Sequence, residues 1–120
     1  VKILILEDSQ ERIKFFRDKL IQHELFIFEH VKDAEIFIEN NQVTMMFLDH
    51  DLEGFHHIPS ELPITGYEFV KFLVEKNLAK ETTIIIHSMD VPGAKNMFET
   101  LYRNKYRVTV IPFAYLKFEE

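Results

Sequence analysis

The chain has 120 residues, 47% of them hydrophobic, with twelve Phe and only three Gly and four Pro, enough apolar surface for one packed core and too much for a disordered chain. A net charge of −6 argues against general binding to duplex nucleic acid, which needs a Lys/Arg surface, and the lack of cysteine excludes disulfides and thiolate metal sites. No apolar run approaches the roughly 18 to 20 residues that cross a bilayer, so the expectation is one domain over residues 1–120, cytoplasmic, with no membrane partner. The chain begins at Val1 rather than Met, which leaves room for residues before it.

Short apolar runs alternate with helical periodicity, the pattern of repeated βαβ units and a mostly parallel sheet in an α/β fold. The first predicted strand, 2–6 (KILIL), ends in Glu7 and Asp8. Ser9 then caps a helix over about 10–22, with Ile13, Phe16 and Leu20 along one stripe. A second strand is predicted at 25–29 (LFIFE), and Asp33 opens a short helix carrying Ala34, Phe37 and Ile38 that stops at Asn40 and Asn41. The third strand, 44–48 (TMMFL), runs into Asp49, His50 and Asp51.

Residues 52–64 (LEGFHHIPSELPI) show no periodicity and read as a long loop of the kind that often serves as a binding or lid segment. Thr65 opens a third helix with Tyr67, Phe69, Val70, Leu73 and Val74. The fourth strand, 83–86 (TIII), ends at His87 and Ser88, and Pro92 with Gly93 opens a helix holding Met97 and Leu101. The fifth strand is predicted at 107–111 (RVTVI), and the short stretch after Pro112 leaves the last helix short or missing.

Ligands of an open parallel sheet bind beyond the carboxyl ends of the strands, so Glu7, Asp8, Asp49, His50, Asp51, His87 and Ser88 are the candidate site. Converging carboxylates repel one another, which implies either a bound cation or raised pKa values. Oxygen ligands favour a hard ion, and an open site suits Mg²⁺, with Mn²⁺ or Ca²⁺ able to substitute.

ILEDS at the first strand, FLDHDL at the third, TGYEF at the third helix and IIIHS at the fourth strand together resemble the response-regulator receiver family, over nearly the whole chain. The resemblance implies a three-layer, flavodoxin-like sandwich with a five-stranded parallel sheet in the order 2-1-3-4-5. It also implies that Glu7 and Asp8 bind Mg²⁺, that Asp49 is the phosphoacceptor and a metal ligand, and that Ser88 contacts the phosphoryl group. By the same resemblance the Asp51 backbone carbonyl completes the metal shell.

Receivers end strand five in Lys-Pro, whereas here Ile111 precedes Pro112. The phosphoryl group therefore loses one charge-assisted contact, for which Lys95 is a candidate substitute. In return the chain adds His50, Asp51 and His87 as acid–base groups. The set DHDL, TGYEF and HS resembles a divergent branch of receiver-like domains proposed to process cyclic phosphates.

His56 and His57 read as solvated loop residues, and His23 and His30 as structural ones. Three functions remain open. One is a metal-dependent domain that binds or hydrolyses a phosphodiester or cyclic phosphate, with a phosphate-containing small molecule or nucleotide end as its partner and Asp49, His50, Asp51, His87 and Ser88 as catalytic candidates. The second is a signalling receiver phosphorylated on Asp49, partnered by a kinase or an effector protein. The third is a non-catalytic interaction module.

Overall fold

A computed structural model describes residues 1–52, 54 and 56–118; Glu53 and Phe55 of the long loop, with Glu119 and Glu120, lie outside the described residues. Five strands, β1 (Lys2–Leu6), β2 (Glu24–Phe28), β3 (Met45–Leu48), β4 (Thr83–Ile86) and β5 (Arg107–Val110), form one parallel sheet in the order β2-β1-β3-β4-β5. Among the described residues four helices, α1 (Gln10–Lys19), α2 (Val31–Asn40), α3 (Gly66–Lys76) and α4 (Val91–Arg103), connect them, and a 3-10 turn at Phe113–Tyr115 stands where a fifth helix was expected to be short or missing. Among the described residues no helix is long and apolar enough to cross a membrane.

Successive side chains of a strand point to opposite faces, and this explains the unbroken apolar runs. Leu4, Leu6, Met46, Leu48, Ile84 and Ile86 pack beneath α2, α3 and α4, whereas Ile3, Ile5 and Phe47 face α1 and the segment containing Leu116. Phe16, Phe47 and Phe69 are fully buried, each such burial contributing roughly 1.5–3 kcal/mol. On the α1 face the rings of Phe15, Phe16, Phe47, Phe113 and Phe118 form a connected aromatic cluster.

Several boundaries shift from their predicted places. The first helix stops at Lys19: the Leu20 N–H makes the last helical bond, to the Phe16 carbonyl, but Leu20 itself leaves helical geometry at φ −112° and ψ 31°, and the His23 N–H closes a turn onto its carbonyl. His30 is the residue before α2, so Asp33 sits in the first turn, where its charge suits the helix dipole, rather than capping it. Asp90 caps α4 by accepting from the Gly93 N–H at 3.0 Å, so the helix begins at Val91, one residue ahead of the predicted Pro92 start. Ser9 and Thr65 cap as expected, accepting from the Arg12 and Glu68 N–H groups.

Candidate functional site

The parallel ladder sets the site. Leu6, Leu48 and Ile86 are in register, and hydrogen bonds from Asp49 N to Leu6 O and from His87 N to Leu48 O carry the pairing one residue further. Glu7, Asp49 and His87 therefore stand side by side on the α1 face, one ligand atom of each within 4.8 Å of the others. All three are buried, Glu7 and His87 completely and Asp49 to 5% exposure.

Glu7 is heavily bonded. Its Oε2 accepts from the Asp8 and Ser9 N–H groups, both at 3.0 Å, and its Oε1 accepts from His87 Nε2 at 2.8 Å. That bond puts a proton on Nε2 of His87, whose Nδ1 is buried without a hydrogen-bond partner among the described residues. Asp49 Oδ1 accepts from the His50 N–H at 2.8 Å, and the Arg12 guanidinium lies 3.8 Å from Glu7 Oε1 and 3.9 Å from Asp49 Oδ2. Burial opposes the Glu7 charge, but the bond to His87, the Ser9 N–H and Arg12 together hold its pKa below the ordinary carboxylate value. Asp49 goes the other way: burial, then repulsion from Glu7, pushes it up from 3.8 to about 6.

A second group lies on the opposite face. His50 turns away from Asp49, as alternation along an extended segment requires, and its Nδ1 sits 2.7 Å from Asp51 Oδ1 and 3.3 Å from Asp90 Oδ2. Its Nε2 is 2.8 Å from Ser60 Oγ, and that hydroxyl oxygen accepts from Asn96 Nδ2. A Cβ on Gly93 would lie 2.4 Å from the His50 ring, so a glycine is needed for α4 to approach it. Gly66 does the same for α3: its N–H donates to the His50 carbonyl at 2.8 Å, and a Cβ there would fall 1.8 Å from the Asp49 carbonyl oxygen.

The long loop folds back over the strand ends. Gly54 N donates to Asp8 Oδ2 and His57 N to Asp51 Oδ2, both at 2.7 Å. Burial disfavours the Asp51 charge, yet the His50 ring and the His57 N–H hold its pKa low. The result is a cleft of about 190 Å³ whose lining includes Glu7, Asp8, Arg12, Asp49, Asp51 and Ser88. A larger depression of about 480 Å³ lies at the other end of the sheet, between the turns before β3 and β4, lined by Asn41 and Lys80 among others; it is remote from the acids.

The profile of the cyclic-phosphate processing receiver domain matches residues 2–103. The chain belongs to that family. No curated protein matches it in sequence. Among solved structures, it is similar to a CheY-like response regulator receiver domain from Methylobacillus flagellatus, at 19% identity and a TM-score of 0.66 over 97% of this chain and 92% of that one. The N-terminal domain of an uncharacterized protein from Wolinella succinogenes aligns at 15% identity and a TM-score of 0.69, over 97% and 83% of the two chains. Response regulator protein TrrA from Thermotoga maritima, in complex with Mg(2+)-BeF, aligns at 16% identity and a TM-score of 0.66, over 92% and 84%. These likenesses agree with the receiver fold.

Within this receiver domain Glu7, Asp8, Asp49, Asp51 and Ser88 all line the cleft, whereas His50 and His87 do not; those two reach it through the carboxylates they hold. His56 and His57, read from sequence as solvated loop residues, are exposed and also line the cleft. Lys95 is exposed on α4 and does not line it. Sequence reasoning passed over Arg12 and Asp90. The signal for Arg12 was present, since it falls in the first turn of a helix that starts at the carboxyl end of β1; Asp90 stands just ahead of the Pro92 signal, and Asp is a favoured capping residue.

Proposed function

We propose that this receiver domain holds a divalent metal ion, Mg²⁺ or in its place Mn²⁺ or Ca²⁺, at Glu7, Asp8 and Asp49, and binds or processes the phosphate of a phosphodiester or cyclic phosphate beside it. The observation that supports this most is the meeting of these three carboxylates at one cleft with Arg12 and Ser88. The donor set fits a hard cation: all the donors are carboxylate oxygens, and Asp49 Oδ2 has its ion-pair partner no nearer than Arg12 at 3.9 Å. A raised Asp49 pKa is the state expected of such a carboxylate while its counter-charge is incomplete. When bound, the metal would polarise a phosphoryl oxygen and offset the negative charge.

The chain's own groups have separable tasks. Ser88 Oγ accepts from the Asp90 N–H at 3.0 Å, which leaves its hydroxyl proton to donate to a phosphoryl oxygen. Asp51 and the loop histidines His56 and His57 are the acid–base groups at the cleft. His50 and His87 serve by fixing Asp51 and Glu7. Calorimetric titration with Mg²⁺, followed by a panel of cyclic nucleotides and RNA cyclic-phosphate ends, tests the reading: metal-dependent binding or turnover, abolished in Asp49→Asn, is expected, and no response across the panel refutes it.

A second reading is favoured by Asp49 and Ser88 lining one cleft: phosphorylation of Asp49 by a kinase or small phosphodonor, read by an effector protein. It predicts an acid-stable, base-labile phosphoryl adduct on Asp49 in Mg²⁺, absent in Asp49→Asn. Failure to bind Mg²⁺ at millimolar concentration would leave a non-catalytic interaction module as the better description.

A further inference from the structure

The end of β5 brings no cation to the cleft, because Ile111 and Pro112 occupy the positions after Val110. The structure supplies a positive charge from another direction. Arg12 is the one Arg or Lys among the described residues that line the cleft. It sits in the first turn of α1, its backbone N–H donating to the Ser9 cap, so the helix start aims its side chain along the strand ends.

Its guanidinium carbon lies 4.8 Å from the centre of the Phe113 ring, close enough for a cation–π attraction. Phe113 is itself pinned by its N–H donating to the His87 carbonyl at 2.8 Å and by edge contacts with Phe15 and Phe16. The segment after β5 thus provides a seat for the charge in place of the charge itself.

The contacts Arg12 makes with the acids are loose. At 3.8 Å to Glu7 and 3.9 Å to Asp49 they are ion pairs beyond hydrogen-bonding range, and the side chain remains 28% exposed. A guanidinium carries five N–H donors in a planar fork suited to two phosphoryl oxygens at once, and it does not deprotonate.

We propose that Arg12, seated on Phe113 at the mouth of the Glu7–Asp49 pair, is the cation that grips the phosphoryl oxygens in this cleft. The inference rests on the phosphate-binding reading above and deepens it. Arg12 binds and orients the non-bridging oxygens and stabilises charge that gathers on them; because its guanidinium does not deprotonate, it is no acid or base. Phe113 is a positioning residue that acts through it.

The same placement makes Arg12 a competitor for the metal. A positive charge about 4 Å from two ligand carboxylates lowers their attraction for a second cation, while the same charge raises attraction for an anion. Removing it should therefore move the two affinities in opposite directions, which loss of a structural residue would not do.

The test is calorimetry of Mg²⁺ alone, and of beryllium trifluoride in saturating Mg²⁺ as a phosphoryl mimic, on wild type, Arg12→Gln, Arg12→Lys, Phe113→Leu and Lys95→Gln. Gln suits the third position of α1 after a Ser cap, so the variant should fold, and circular dichroism checks that it does. Arg12→Gln is expected to bind Mg²⁺ about threefold or more tightly and the mimic about tenfold or more weakly. Arg12→Lys should recover part of the anion affinity, Phe113→Leu should weaken the mimic alone, and Lys95→Gln should change neither. Unchanged mimic binding in Arg12→Gln, loss of both ligands together, or an equal loss in Lys95→Gln overturns the assignment while leaving the phosphate reading intact. If the wild type binds neither probe, both fall.

Discussion

Asp49→Asn should make the metal-free protein more stable. Asp49 is 5% exposed, beside an ionised Glu7, and its pKa in the fold is about 6 against an ordinary 3.8. At roughly 1.4 kcal/mol per pH unit, keeping it charged at neutral pH costs the fold about 3 kcal/mol. Asparagine removes that charge but keeps an oxygen to accept the His50 N–H. For a domain of this size the gain corresponds to a melting temperature about 10 °C higher.

The sign of the pH dependence follows. Between about pH 4 and 6 the folded state binds more protons at Asp49 than the unfolded chain, so wild-type stability falls as the pH rises through about 6, and the variant's advantage should be largest above that. Glu7, with its pKa held below the ordinary carboxylate value, contributes stability that is lost only at lower pH, and the six histidines, which titrate in the same range, are common to both proteins, so the difference between variant and wild type from about pH 5 to 7.5 reports Asp49. Thermal melts of both proteins in EDTA across that window measure the effect, and adding Mg²⁺ should raise the wild type while leaving the variant nearly unmoved. A variant that melts at or below the wild-type temperature in EDTA at pH 7.5 would show that Asp49 is not a strained charge.

His87→Leu leaves Glu7 buried without its ring partner and should cost about 3 kcal/mol in urea unfolding, with most of it recovered by adding Glu7→Gln. Gly66→Ala places a Cβ 1.8 Å from the Asp49 carbonyl; destabilisation of about 2 kcal/mol or more is expected, together with weakened Mg²⁺ binding by calorimetry. Mg²⁺ affinity should fall by up to about tenfold per pH unit below pH 6, because protons compete for Asp49.

The order of strands and helices, both hydroxyl caps and the acids at the strand ends were readable because they depend on local alternation and spacing. Ile3 to Leu6 had to face both ways in a covered strand, and Ser9 and Thr65 stood where a cap belongs. The bond between Glu7 and His87 was not readable, since it spans β3 and exists only once two ladders are in register. Helix starts at Val31 and Val91 were misplaced because Asp33 and the Pro92–Gly93 pair gave stronger local signals than His30 and Asp90. The inward fold of the loop was hidden as well: His56 and His57 reach the cleft because two carboxylates draw in backbone N–H groups, a cause no side-chain pattern reveals.

That loop attachment has a thermodynamic consequence. Gly54 N–H and His57 N–H occupy one oxygen each of Asp8 and Asp51, so they act as built-in ligands held at high effective concentration. A cation that needed both oxygens of Asp8 would first have to expel the Gly54 amide, and its apparent affinity would be reduced by the cost of that exchange. Ion occupancy at the strand ends and the position of the loop would thereby be two readings of one equilibrium, and a substitution that loosens the loop alone would tighten an ion it never touches.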